Sequence, residues 1–191
     1  MPFSILYVCT GNICRSPLAE RYTVHRLASQ APDVAPSVTV SSAGVRGLEG
    51  YPMDPLAEAE LDRYGGSAHG FAARRLVAGD VESADLVLTM TRTQRAAALA
   101  EAPAAQRRTF TLLEAADLVG RVKGADPATA GPPRPRDLVA ALAAGRSQAR
   151  LDQYDVADPI GRSPLVHAAV ADAITAAADE LVAALVPSLR G

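Results

Sequence analysis

An open, four-stranded parallel α/β sheet with helices on both faces is the fold class this sequence predicts. Three observations point to it. Short apolar, β-forming segments alternate with segments of helical periodicity. Ser-Pro and Asp-Pro steps, which pair an N-cap with a first-turn proline, stand where those helices should begin. The first strand runs straight into a glycine-containing loop and a helix, a geometry that converges backbone N–H groups on one point.

Residues 3–8 are apolar throughout and read as a short buried strand. Ser16-Pro17 is predicted to cap a helix whose apolar face, Leu18, Tyr22, Val24 and Leu27, runs to about Ala28. Residues 31–37, with two prolines, form a connector, and Val38–Ser41 a second strand that ends at Ala43-Gly44. Asp54-Pro55 opens a helix through Leu61 that stops at Gly65-Gly66. Ala84–Met90 reads as a third strand, Thr93 to about Ala100 as a helix, and Arg108–Leu113 as a fourth strand. Ser163-Pro164 opens a long alanine-rich helix to about Leu185, with Pro187 beyond its end. The stretch 117–150 differs in character. Its proline-rich part, "GADPATAGPPRPRD", reads as a flexible loop, and "LVAALAAGRSQARL" as a short helix interrupted by Gly145. The expectation is one domain over 1–191 with an inserted arm at about 117–150.

Composition narrows the function classes. The chain has 191 residues, 49% hydrophobic and 21% charged, enough to fold around one large core. A net charge of −2 carries no electrostatic footprint for nucleic acid. No apolar run approaches the roughly 18 residues needed to span a bilayer. The start lacks the basic and long apolar regions of a signal peptide, so a cytoplasmic setting with reduced thiols is expected. Nothing in the sequence sets an oligomeric state.

Both cysteines, Cys9 and Cys14, sit in "VCTGNICRSP", too close together for a structural staple. The pattern is Cys9, then Thr10, Gly11, Asn12, Ile13 and Cys14, then Arg15 and Ser16. A nest of backbone N–H groups at a helix start suits a phosphate. Gly11 is expected to permit a sharp reversal and Asn12 to tolerate a left-handed conformation. Arg15 can grip two phosphate oxygens through its planar fork. In such a positive cup Cys9 should ionise well below the free-thiol value of about 8.5 and attack phosphorus, with Ser16 steadying the sulfur. Cys14 reads equally as a small packed residue. The leaving oxygen needs a proton donor, and "YDVADPIGRSP" offers Asp155 and Asp158; Asp158, fixed by Pro159, is preferred, with Asp155 a turn residue. Tyr154 stands close enough to this loop to line a cleft. His25, His69 and His167 lack ligand spacing and read as surface or hydrogen-bond-satisfied residues. No Gly-(four)-Gly-Lys-Ser/Thr occurs, which excludes a P-loop nucleotide hydrolase.

Taken together, "VCTGNICRSPLAE", "SSAG" at 41–44, "GYPMDPLA" at 50–57, "AARRL" at 72–76, "ADLVLTM" at 84–90 and "DVADPIGRS" at 155–163 resemble the low-molecular-weight protein tyrosine phosphatase family. That resemblance implies a three-layer, Rossmann-like or flavodoxin-like sheet of the phosphotyrosine protein phosphatase I type, with no metal or cofactor. It implies a phosphocysteine at Cys9, phosphate gripped by Arg15, a loop organised by Asn12, a sulfur stabilised by Ser16 and a general acid at Asp158. It also implies that Cys14 can guard Cys9 through a reversible disulfide. The substrate would be a phosphorylated protein or a small phosphomonoester. Several positions depart from the family pattern. Ile160-Gly161 follow Asp158-Pro159 where tyrosines are usual, Leu48 stands near the place of a cleft aromatic, and Phe71 replaces a common histidine. Leu48, Tyr154 and Ile160 are therefore the expected cleft walls. Two further activities belong to the same fold: arsenate reduction with an external thiol, since no redox cysteine follows Cys14, and phosphoarginine hydrolysis, in which threonine commonly replaces Ile13. A non-catalytic phosphate-binding module is the contrasting class.

Overall fold

The computed structural model describes residues 2–122, 134–149 and 154–190. Strands β1 (Phe3–Cys9), β2 (Val38–Gly44), β3 (Leu86–Thr89) and β4 (Thr109–Thr111) form one parallel sheet in the order β2-β1-β3-β4. In central β1, Leu6 lies opposite Ser41 on one side and Val87 on the other. Successive side chains point to opposite faces, so Ile5 and Tyr7 enter a larger core while Leu6 and Val8 enter a smaller one. Burial on both faces is why this strand reads as an unbroken apolar run.

Between the strands come α1 (Arg15–Gln30), α2 (Pro55–Arg63), α3 (Ala78–Ser83), α4 (Arg92–Glu101), α5 (Leu112–Val122), α6 (Pro135–Gly145) and α7 (Pro164–Arg190). The larger core takes Leu18 of α1, Leu61 of α2, Leu118 of α5 and Ile174 of α7. The smaller one takes Val81 of α3 and Ala98 of α4. Buried Ala171, Ala177 and Ala178 let α7 approach its neighbours closely. At 27 residues α7 is long, but among the described residues no helix is long and apolar enough to cross a membrane. The chain order brings Cys9 to the carboxyl edge of the sheet at β1, where connections diverge towards β2 and β3. This is the usual crevice for a ligand in open α/β sheets.

Asp54 caps α2 as expected, its Oδ1 accepting from the N–H groups of Leu56 and Ala57 at 3.0 and 3.2 Å. Several other expectations need correction. The strand read over Arg108–Leu113 stops at Thr111, because Thr111 and Glu114 form a reciprocal capping box. The Glu114 N–H donates to Thr111 Oγ1 at 3.3 Å, and Glu114 Oε2 accepts from the Thr111 N–H at 3.2 Å. Residues 117–122, assigned to the arm, therefore complete α5, with Leu118 and Val119 in the core. Pro187 lies inside α7 rather than beyond it. The last turn is retained by buried Leu185 and by Arg190, whose Nε and Nη2 reach Asp33 at 2.8 and 2.9 Å. Ser16 is the second residue of α1, which starts at Arg15 with Cys14 at the capping position.

Much of the proline-rich stretch lies outside the described residues. The described part of the arm is α6, which ends at Gly145, followed by a short turn of 3₁₀ helix. Arg136 Nε pairs with Asp85 Oδ1 at 2.8 Å, next to where β3 begins. That is the opposite edge of the sheet from Cys9, so α6 does not cover the loop. Arg146 holds the end of this arm: Nε donates to Glu114 Oε1 at 2.9 Å and Nη2 to the Thr109 carbonyl at 2.7 Å, with the guanidinium 4.2 Å from the Phe110 ring centroid. Arg146→Ala would remove the nearer of two guanidinium partners of Glu114, only 4% exposed, leaving Arg95 Nη1 at 3.5 Å. It is expected to lower unfolding free energy by about 2 kcal/mol, read as a lower urea midpoint with an unchanged slope.

Candidate active site

The loop between β1 and α1 is turned inside out relative to ordinary chain. The carbonyls of Thr10, Gly11 and Ile13 accept from the N–H groups of Arg46, Leu48 and Asp54 at 2.9, 3.0 and 2.8 Å. A planar trans peptide sets each N–H opposite its carbonyl. The N–H groups of Gly11, Asn12 and Cys14 are thus directed to the loop interior, as an anion nest requires. One of them is bonded there already: Asn12 N–H donates to Cys9 Sγ at 3.2 Å.

Asn12 is wholly buried and has φ 57°, the one non-glycine residue with positive φ among those described. Its amide spends every available group. Nδ2 donates to Ser16 Oγ at 2.9 Å and to Ser42 Oγ at 2.8 Å, and Oδ1 accepts from the Arg74 N–H at 2.8 Å. The left-handed turn is therefore made by Asn12 and not by Gly11, whose φ is not positive. An added Cβ at Gly11 would meet only side-chain atoms of Ile13 and Leu48, at 3.6 and 3.8 Å.

These bonds fix where the protons point. Ser42 donates to Glu20 Oε2 at 2.5 Å, and burial raises the affinity of Glu20 for its own proton. Ser16 Oγ already accepts from Asn12; of its two acceptors Cys9 Sγ, at 3.0 Å, is nearer than the Ala43 carbonyl at 3.4 Å, and its proton is directed to the sulfur. Two hydrogens thus converge on a sulfur that acts as their acceptor. Ser16 was expected to cap the helix; it is consumed by this contact. Gln94 Nε2 donates to Thr10 Oγ1 at 3.0 Å and steadies the loop's other flank.

Arg15, 4% exposed, reaches across to the carboxyl-terminal loop. Nη1 donates to the Val156 carbonyl at 3.0 Å, and Nη2 pairs with Asp158 Oδ2 at 2.9 Å. That loop is fastened to the sheet edge by the Val156 N–H on the Met90 carbonyl at 2.8 Å. Asp155 Oδ1 accepts from the Arg92 N–H at 2.8 Å, so Asp155 anchors the loop while Asp158 faces the hollow. Cys9, Arg15, Asp158, Arg46, Leu48 and Ile160 all border this cavity of about 250 Å³. Tyr154 does not: its hydroxyl points to Asp117 of α5 at 3.4 Å. Ile13 lines the cavity floor, and Cys14 is buried beside it. Burial pushes the Cys14 thiol well up, the charges of Asp54, Cys9 and Asp158 add to this, and Arg15 opposes it.

Sequence reasoning did not single out Ser42, Glu20, Arg46 or Gln94. "SSAG" and "AARRL" were visible as motifs, and the structure gives them a job: both supply partners to Asn12. Gly44 completes that support. It bridges to Arg75, and its backbone touches the loop so closely that a Cβ would lie 2.6 Å from Thr10 O and 2.9 Å from Asn12 N.

Comparisons with known proteins converge on one family. The model described as "Low molecular weight phosphotyrosine protein phosphatase" matches residues 4–131. The chain is 42% identical over 107 residues to the low molecular weight protein-tyrosine-phosphatase Etp of Escherichia coli K12, covering 56% of this chain and 67% of that one. It is 36% identical over 109 residues to Ptp of Acinetobacter johnsonii, covering 57% and 71%. Among solved structures, the Erwinia amylovora tyrosine phosphatase amsI superposes with TM-score 0.70 at 25% identity, covering 97% and 94% of the two chains. The YwlE arginine phosphatase of Geobacillus stearothermophilus superposes with TM-score 0.67 at 28% identity, covering 95% and 92%.

The loop geometry separates two glycine substitutions. Gly44→Ala meets backbone on every side and should weaken binding of inorganic phosphate by about tenfold or more while far-UV circular dichroism stays native. Gly11→Ala should change phosphate affinity by no more than about threefold.

Proposed function

Because the chain belongs to the low molecular weight phosphotyrosine protein phosphatase family, we propose that Cys9, Arg15 and Asp158 carry out its hydrolysis of phosphomonoesters, protein phosphotyrosine first among them. The observation that carries this reading is the convergence of the Asn12 N–H and the Ser16 hydroxyl on Cys9 Sγ, with the buried Arg15 fork at the same hollow. The chain is an enzyme of the cysteine-dependent type.

In the proposed reaction the phosphoryl group lies in the loop with two oxygens on Arg15 and the remainder facing the inward N–H groups. A phosphate dianion competes with Asp158 for Arg15 Nη2, so substrate entry frees the carboxyl to turn to the leaving oxygen. Cys9 sulfur attacks phosphorus opposite that oxygen; the S–P bond forms as the P–O ester bond breaks, and protonated Asp158 gives its proton to the departing alcohol. In the second half the Asp158 carboxylate takes a proton from water, whose oxygen attacks phosphorus. The S–P bond breaks, inorganic phosphate leaves and the thiolate returns to the Ser16 and Asn12 donors. Leu48 and Ile160, half-exposed on the rim, offer aliphatic walls to a flat leaving group in place of aromatic ones. We further propose a cytoplasmic setting, in which both thiols remain reduced.

Phosphoarginine is the second reading, favoured by the likeness to the YwlE arginine phosphatase at 28% identity. Its guanidinium would find Asp158 where a tyrosine ring finds only aliphatic side chains.

Turnover of p-nitrophenyl phosphate should vanish in Cys9→Ser and fall by about a hundredfold or more in Arg15→Lys, which keeps the charge and loses the fork. Asp158→Asn should slow phenyl phosphate, a poor leaving group, by about a hundredfold or more, and p-nitrophenyl phosphate far less. Comparable turnover in Cys9→Ser would sink the mechanism. A panel of phosphotyrosine, phosphoarginine and phosphoserine peptides ranks the substrates, with phosphotyrosine expected to be the fastest.

A further inference from the structure

Cys14, Asp54 and His167 come from three distant segments and meet directly behind the catalytic loop. Cys14 stands at the start of α1, Asp54 caps α2 and His167 lies in the first turns of α7. One donor atom from each, sulfur, carboxylate oxygen and imidazole nitrogen, all lie within 4.8 Å of one another. Cys14 is 4% and His167 3% exposed. His167 Nδ1 is 3.8 Å from Asp54 Oδ1, and His167 Nε2 is buried with no hydrogen-bond partner. The capping bonds of Asp54 both fall on Oδ1. A small cavity of about 10 Å³ borders Cys14, Arg15, Pro159 and His167. Lacking ligand spacing, His167 reads from the sequence as a surface or satisfied residue; in the structure it is buried, and its Nε2 is unsatisfied.

We propose that Cys14, Asp54 and His167 form a binding site for a divalent cation of the zinc class, and that filling it restrains the catalytic loop. A thiolate, an imidazole and a carboxylate are the donors such a borderline-soft ion takes. Donors around one tetrahedral zinc stand roughly 3.5 Å apart, so the three need to close by about 1 Å through side-chain rotation. The cavity, which Cys14 and His167 border and Asp54 does not, has room for one water as the fourth donor. Binding releases the Cys14 thiol proton to solvent and forms the metal–sulfur bond, with no change of oxidation state. Cys14 borders both this cavity and the catalytic hollow, and Arg15 follows it in the chain. Drawing its sulfur towards α7 therefore shifts the residue that must hold phosphate. The ion is a regulator here and takes no part in the chemistry; only this coupling, not the site itself, rests on the phosphatase reading.

The test uses Co²⁺ with the Cys9→Ser protein, so that the nucleophile cannot supply the thiolate. One equivalent should give thiolate-to-cobalt absorption in the near ultraviolet with tetrahedral visible bands. Adding His167→Phe, a substitution of similar bulk in an apolar surround, should weaken binding by about tenfold or more, and Asp54→Asn, which keeps the cap, should also weaken it. Absence of the bands in Cys9→Ser, or undiminished binding with His167→Phe, overturns the site. Circular dichroism checks the fold of each variant. For the coupling, Zn²⁺ should inhibit p-nitrophenyl phosphate turnover by the native chain, and His167→Phe should need about tenfold more Zn²⁺ for half-inhibition. Equal inhibition of both overturns the coupling. If no ester is hydrolysed at all, the optical measurement still decides the site.

Discussion

The buried amide of Asn12 is the interaction on which the rest of this site depends. A left-handed residue in the middle of a loop costs conformational energy for anything but glycine. Here the cost is met by bonds from one side chain to Ser16, Ser42 and the Arg74 backbone. Those partners lie on α1, on β2 and on the segment before α3. The loop is thereby registered against three parts of the fold at once, and its carbonyls are turned outward. Inward N–H groups and a directed Ser16 proton follow from that one arrangement. A glycine at position 12 would relieve the strain and lose the registration.

A second constraint joins the two ends of the chain. Arg15 belongs to the first loop, yet its guanidinium is held by Val156 and Asp158, more than 140 positions later. The two loops meet because α7 packs against α1 and because Val156 is tied to the end of β3 through Met90. Asp158 occupies an anion's place on Arg15. In the proposed mechanism, exchange of that carboxylate for phosphate links substrate entry to the release of the proton donor.

The two cysteines lie five positions apart and have opposite environments. Cys9 receives two hydrogens at its sulfur. Cys14 receives none of these; it lies among Leu18, Ala57 and Val170, with Asp54 and His167 nearby, and burial holds its proton on. Their division of labour is set by which way each sulfur faces, one into the nest and the other towards α7.

The sequence by itself determined the sheet, the identity of the loop and the type of chemistry. Apolar runs buried on both faces mark β1 and β3, and Cys9, Asn12, Arg15 and Ser16 share a single local segment whose residue types have no packing role together. The Thr111–Glu114 capping box is also local to the chain, and it, not the β-forming run, sets where β4 ends and α5 begins. What only the tertiary structure decided depends on contacts between distant segments. Leu48 and Ile160 border the hollow, but Tyr154 turns away to Asp117, because side-chain direction in a loop is set by its neighbours and not by its distance along the chain. The support given by Ser42, Arg74 and Gly44, and the meeting of Cys14 with Asp54 and His167, likewise exist only once the helices are packed. No local spacing records them, since each of these groups is ordinary in its own segment.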